Sequence, residues 1–456
     1  MKKLIYSSIV LAGVFSLNSC QHEIDTFNNN PNNPTQLASP QTLLSGAEIG
    51  TIINFTGNLP RTLSSFTQQT DGVSFQSLDY TNYFLTETDN ETDWANIYQT
   101  GVNANQIVTQ FGSASPYYDG IARILLALNI GYATDVWGDV PFSDAFQGVS
   151  GNVNPKYDSQ QQVIARIQTY LDTAIADFTT APTANKSIPG PDDIFYQGDM
   201  GKWKRLAYGI KARYAMRLTG KDGSTVAAQN ALNYLQNSFT SSGDNLVATF
   251  DGGNNQNIWF GFNNQRGGYM VMGKYFIDLL QNNSDPRLPF LAGLNSTGGY
   301  SGSSPEAADA NASGFGNFFA GTASTPNILF SYSEIKFIEA EARFRLGQTA
   351  PAQAALKAAV SASLIDVTGT DNPAFAATAS TTVTLQNIIT QKYIGCFTTM
   401  EPYNDWRRTG FPALTPNQNS QSLKIPLRLI TPKSERTLNS NAVVVPSMYT
   451  PVWWNS

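Results

Sequence analysis

Apolar residues recur at helical spacing over much of the chain. Val163, Ile167, Tyr170, Leu171, Ala174, Ile175 and Phe178 fall mostly at steps of three and four behind an Asp158-Ser159 start signal. Trp203, Leu206, Ala207, Ile210, Tyr214 and Leu218 give a second stripe. Lys204, Lys211 and Arg217 lie beside it, and Gly220 marks its stop. From Ile121 to Tyr132 the apolar residues go nearly all round, which predicts a helix buried on several sides. Ser333 to Leu346 carries Ile335, Ile338, Ala342 and Leu346 on one face, Phe337 and Phe344 on another, and stops at Gly347. A helix with two apolar faces packs on two neighbours, as in stacked helical hairpins. Further helices are predicted near 42–54, 92–111, 226–237, 350–364 and 385–397.

The expected class is mainly α: TPR-like stacked pairs with long irregular loops and few short strands. No clean repeat of about 34 residues is visible, so the repeat must be degenerate and broken by insertions. Thr70–Asn90, Thr240–Gly268 and Asn295–Asn327 are those insertions, rich in Gly, Asn, Ser and aromatics. Loops of that length in a compact domain carry function or are disordered. No composition break marks a linker, so one domain over 40–456 is expected.

Composition narrows the chemistry. Charged residues make up 14% of the 456 positions, against roughly 25% in typical soluble domains. Asn, Gln, Ser, Thr and Tyr fill the surface instead, which suits neutral polar ligands bound by hydrogen bonds and ring stacking. The 34 acidic residues outnumber the 28 basic ones, so nucleic acid is not an expected partner. The single histidine is His22 and the only cysteines are Cys20 and Cys396. His22 lies only two residues beyond Cys20, too far from the body to serve a folded site, which argues against Ser-His-Asp, Cys-His and histidine-zinc machinery. Carboxylate, Lys or Tyr chemistry and oxygen-ligated metals stay open.

The beginning of the chain supplies an address. Lys2 and Lys3 precede an apolar segment over Leu4–Leu17, and Asn18-Ser19 leads into Cys20. This is the layout of a secretory signal over 1–19 whose cleavage exposes a cysteine for lipidation, although Asn18 departs from the usual small residue. Residues 20–39 are rich in Asn and Pro and read as a flexible tether. With Cys20 lipidated, Cys396 has no disulfide partner within the chain. No later apolar run approaches eighteen residues, so the lipid is the expected membrane attachment. The acids Glu23 and Asp25 just after Cys20 fit transfer to the outer leaflet of an outer membrane, facing the cell exterior.

Several clusters of charged residues bear on the chemistry. Asp135 and Asp139 flank Trp137, which reads more readily as a capped turn and a packed indole than as a ligand platform. Lys202, Lys204 and Arg205 near a helix start, and the Asp405-Trp406-Arg407-Arg408 cluster, read as structural charges. Glu334 and Glu341 form an i, i+7 pair, and a carboxylate pair can run glycoside hydrolysis if it straddles a scissile bond. A secreted carboxylate hydrolase is therefore the alternative reading. Asp89, Glu91 and Asp93 offer a possible Ca2+ site, with helix-start acids as the simpler account.

The insertion aromatics carry the stronger binding signal. Phe75, Tyr80, Tyr83 and Phe84 punctuate the first, Trp259, Phe260, Phe262 and Tyr269 the second, and Tyr300, Phe315, Phe318 and Phe319 the third. Exposed rings on held loops stack on sugar faces or grip peptide side chains, while small satellite cores under the loops are the equal alternative. The ligand-binding candidates are Phe75, Tyr80, Tyr83, Trp259, Phe260, Tyr269 and Phe315, with no catalytic residue and no metal ligand assigned.

Segments spread in order along the chain resemble the SusD/RagB family of nutrient-binding outer-membrane lipoproteins. They are Asn30–Thr35, Trp137–Phe146, Pro155–Ile167, Asp192–Leu218, Asp285–Leu288, Ser333–Gly347, Asn404–Pro412 and the terminal Trp453-Trp454. The resemblance implies TPR-like helical pairs and a loop-rich ligand face. It also implies a partnership with a SusC-like TonB-dependent barrel transporter, over which the protein acts as a hinged lid. The cargo would be an oligosaccharide or peptide, bound without being cleaved. The matching segments are scaffold motifs, so the family's ligand residues do not transfer to numbered positions here.

Overall fold

The computed structural model describes residues 38–456. The signal segment, Cys20, His22 and all but the last two tether positions lie outside the described residues. Helices of seven residues or more run in the order α1 (Pro40–Thr56), α2 (Asn58–Phe66), α3 (Phe75–Thr81), α4 (Glu91–Gln110), α5 (Pro116–Trp137), α6 (Gln160–Asp177), α7 (Met200–Arg217) and α8 (Ser224–Leu235). They continue as α9 (Ile258–Gln265), α10 (Lys274–Asn282), α11 (Tyr332–Arg345), α12 (Thr349–Thr368), α13 (Pro373–Ala379), α14 (Leu385–Gly395) and α15 (Glu401–Thr409). Consecutive long helices pack side by side: α1 on α4, α4 on α5, α5 on α6, α6 on α7, α7 on α8, α8 on α11, and α11 on α12. The mainly helical, TPR-like stack expected from the periodicity is what forms.

Local chemistry explains the boundaries. Ser159 starts α6 through a capping box: its Oγ accepts from Gln162 N at 3.3 Å, and Gln162 Oε1 accepts from Ser159 N at 2.9 Å. Gly347 ends α11 at φ 72°, where a side chain would be strained, and its N–H closes on Phe344 O at 2.9 Å. Helix α5 is buried along almost its whole length, because α1, α4, α6 and α7 all pack against it. The largest core draws on residues from Leu43 to Trp454, so the two ends of the described chain share one apolar interior.

Charges beneath the stack are sealed and paired. Arg213 forks onto Glu334 with two bonds of 2.8 Å. Arg217 donates to Glu401 at 2.7 Å and to Asp135 at 3.1 Å. Arg408 binds Glu341 at 2.5 and 2.7 Å and Asp405 at 2.8 Å, and Lys392 reaches Asp405 at 2.9 Å. Burial alone would raise the carboxyl of Glu341, but Arg408 and Arg345 beside it hold it down to about 2. Glu334 and Glu341 are thus locked in separate ion pairs and do not face each other across a cleft. Trp137 is buried with its Nε1 donating to Ile430 O at 3.1 Å, the packed-indole role.

The insertions are less irregular than their composition predicts. Two short antiparallel sheets join them: β1 (Thr70–Gly72) pairs with β3 (Met270–Met272), and β2 (Leu246–Ala248) with β4 (Asn327–Phe330). The first sheet fastens the first insertion to the end of the second. Gly72 is required there, since a Cβ would sit 1.8 Å from Ser77 O.

Candidate functional site

Beyond Gly72 the β1–β3 pairing extends by two contacts, and these set the rim of a cleft. Val73 N donates to Tyr269 O at 2.9 Å, and Ser74 Oγ donates to Gly268 O at 2.7 Å. This register brings Phe75 over Tyr269, with ring centroids 4.7 Å apart and planes inclined at 24°. Phe75 remains 71% exposed, an unusual condition for a large apolar ring, and its φ of 51° lies in the left-handed region. The guanidinium of Arg266 lies 5.6 Å from the Tyr269 ring and leads from the rim into the cleft.

The cleft has two lobes that share Arg61, Ile258, Phe262 and Arg266. The larger, of about 590 Å³, is completed by Gly253, Asn254, Gln256, Asn257, Gly261 and Gln265. The smaller, of about 380 Å³, adds Asn58, Gln76, Asp89, Thr92, Asp93 and Asn96. A shallow groove of about 200 Å³ along α1 and α4 continues from the smaller lobe through the shared Ile53 and Asn96. Helix α9 supplies one wall, because Asn257 caps it by accepting from Phe260 N at 2.8 Å. The amide nitrogen of Asn257 in turn ties that turn to Phe319 O and Thr325 O at 3.0 and 2.7 Å. Arg61, at 9% exposure, lies 4.5 Å from the Phe262 ring. Burial, partly offset by Asp93 and Tyr80, pulls its pKa down to about 10. A guanidinium keeps its proton in proteins, so the shift registers how poorly that buried charge is compensated.

The expected ligand aromatics divide. Phe75 and Tyr269 are brought together at the rim. Tyr80, Tyr83 and Trp259 are corrected: they are 5%, 4% and 0% exposed and face the interior. Tyr80 accepts from the Gln76 amide behind the smaller lobe, and the Tyr83 hydroxyl accepts from Asn417 N at 3.3 Å. Trp259 packs edge-on against Phe315 and Phe319 at 5.3 and 5.2 Å, forming the satellite core under the loops. Phe315 belongs to that core's edge, and Phe260 is half-buried on α9; neither lines the cleft. Of the residues that do line it, the sequence singled out only Phe262, among the insertion aromatics, and Asp89 and Asp93, as candidate calcium ligands. Arg61 sits inside a helix with nothing in its neighbours to mark it, whereas the amide run around Asn254 and Gln256 was visible as an Asn/Gln-rich insertion.

The three acids weighed for calcium are not gathered. Asp89 accepts from Thr86 N and Oγ1, Glu91 from Ser434 N, and Asp93 from the Asn58 and Asn90 amides. Among the described residues no group of three or more acids, histidines or cysteines is placed to hold a metal, so these acids do not fit a calcium ion.

Comparison with known proteins agrees with this architecture. The family described as starch-binding, associating with the outer membrane, matches residues 31–432, and the chain belongs to this SusD-like family. No protein of curated function matches. Among solved structures, a SusD/RagB family protein from Bacteroides thetaiotaomicron superposes at TM-score 0.79 with 26% identity, over 92% of this chain and 99% of that one. A chitin-binding protein superposes at 0.78 with 27% identity, over 92% and 100%. A chitin-binding SusD homolog from Flavobacterium johnsoniae, at 0.77 with 21% identity over 91% and 98%, shares the fold.

Proposed function

We propose that the chain is a non-catalytic glycan-binding lipoprotein of the outer membrane. The observation that carries this reading is the stack of exposed Phe75 on half-buried Tyr269, joined through Arg266 to an amide-lined cleft. Sugar rings present apolar C–H faces to an aromatic and hydroxyls to amides, and this rim and these walls offer both. Membership of a family described as starch-binding, and likeness to a chitin-binding protein, support a polysaccharide-derived ligand. The ion-paired Glu334 and Glu341 favour binding over carboxylate-pair hydrolysis.

In this reading Cys20 carries the lipid, and the protein works as a hinged lid that delivers its ligand to a SusC-like TonB-dependent barrel. Titration of the purified chain with starch and chitin oligosaccharides and a peptide panel tests it. Saturable sugar binding without product, weakened by Phe75→Ala, is expected. Product release, or binding of peptides alone, would overturn it. Unchanged lipid labelling of Cys20→Ala would refute the anchor, and failure to co-purify a large barrel protein from outer membranes would refute the lid.

A further inference from the structure

Six arginines are buried among the described residues, and five of them hold carboxylates or backbone carbonyls within 3.3 Å. Arg213, Arg217 and Arg287 each hold carboxylates, the last through Asp285 at 2.6 Å. Arg407 and Arg428 donate to backbone carbonyls, those of Asp135 and Leu427 at 2.7 and 2.9 Å and that of Leu429 at 3.3 Å. Arg61 has no ion pair among the described residues. Its one hydrogen bond, from Nη1 to Thr56 O, is long at 3.5 Å. Arg61 and the exposed Arg266 both line the larger lobe, and no acid does. Two uncommitted guanidiniums in one acid-free lobe are notable in a chain whose net charge is −6.

We propose that the larger lobe receives a negatively charged substituent of the ligand, a carboxylate or sulfate on the sugar chain, held between Arg61 and Arg266. The inference rests on the glycan-binding reading and narrows it to acidic glycans. A guanidinium fork matches either oxyanion with paired N–H donors, and burial against Phe262 strengthens that attraction by excluding water. The competing counter-charges are Asp89 and Asp93, which line the adjoining smaller lobe that Arg61 and Arg266 also line; Asp89 accepts from Thr86 N and Oγ1 at 2.6 Å. The Asn58 and Asn90 amides engage the Asp93 Oδ2 at 2.9 and 3.2 Å, and the carboxylate makes no ion pair with Arg61. Asn254, Gln256 and Gln265 beside the arginines provide the neutral contacts for the rest of the sugar.

Titration calorimetry on the full chain at low salt compares an uncharged oligosaccharide, a hexuronate and a sulfated oligosaccharide of equal length, with an acidic peptide of equal charge. At least one anionic sugar is expected to bind about tenfold or more tightly than the uncharged one. That excess should vanish in Arg61→Gln and shrink at about 0.5 M salt. Preference for the hexuronate alone identifies a carboxylate, and for the sulfated sugar alone a sulfate. Arg266→Gln, at an exposed position, gives the same reading should Arg61→Gln not fold. Equal affinity for charged and uncharged sugars, or an excess that survives in both variants, overturns the inference and leaves glycan binding standing. No sugar binding, or preference for the acidic peptide, overturns both.

Discussion

Arginine is used in two opposed ways in this protein. Beneath the helical stack, Arg213, Arg217 and Arg408 are fixed by carboxylates on other helices: Glu334 and Glu341 on α11, Asp135 on α5 and Glu401 on α15. At the cleft, Arg61 is equally withdrawn from water and faces an aromatic ring and open space. Taking a charge from water costs several kcal/mol unless a partner answers it. Where the partner is internal, the charge fixes how helices meet. Where none is supplied, the site is left to be completed from outside.

The largest effect should come from breaking a sealed pair. Glu401→Gln leaves Arg217 facing only Asp135 and takes a counter-charge from beside Lys392. Chemical denaturation should show a loss of about 3–5 kcal/mol; a loss near zero would mean that the network is dispensable. Acid should reach the same region. Glu341 has its pKa lowered from 4.5 to about 2 in the fold, so its contribution is present above the unfolded value and is lost as pH falls through the folded one. Unfolding midpoints measured between pH 5 and 2 should fall more steeply for the wild type than for Glu341→Gln.

At the cleft the ordering reverses: affinity moves and stability does not. Phe75→Ala removes an exposed ring and should weaken sugar binding about tenfold while leaving stability within about 0.5 kcal/mol. A large stability loss with unchanged affinity would assign Phe75 to the scaffold. The smallest effect is expected for the exposed pair Lys274–Asp278, 2.7 Å apart at the start of α10. Lys274→Ala should change stability by no more than about 0.5 kcal/mol, which makes it the control for charge that is neither sealed nor awaiting a ligand.

The helices were legible because their signals are local. The stripe from Val163 to Phe178, the Ser159 cap and the Gly347 stop each lie within a few residues and predict boundaries close to those of α6 and α11. The aromatic insertions were visible as ring-rich segments, and of the rings expected to meet a ligand Phe75 is exposed and stacks on Tyr269. Trp259, Tyr80 and Tyr83 were not separable from them in the chain. Composition names a ring, and only packing decides whether Phe319 or solvent covers it.

The sequence by itself determined the mainly helical class, the positions of the long helices and the absence of histidine- and cysteine-based machinery from the body, since periodicity, caps and residue counts need no knowledge of distant contacts. The family resemblance was also legible, spread over ordered scaffold segments. Tertiary structure alone decided which arginines are answered. Arg213 and Arg61 are the same residue type in similar helical settings, and their difference is the presence or absence of a carboxylate brought from more than a hundred positions away. Charge compensation is a property of three-dimensional neighbours, and so is the cleft that its absence marks.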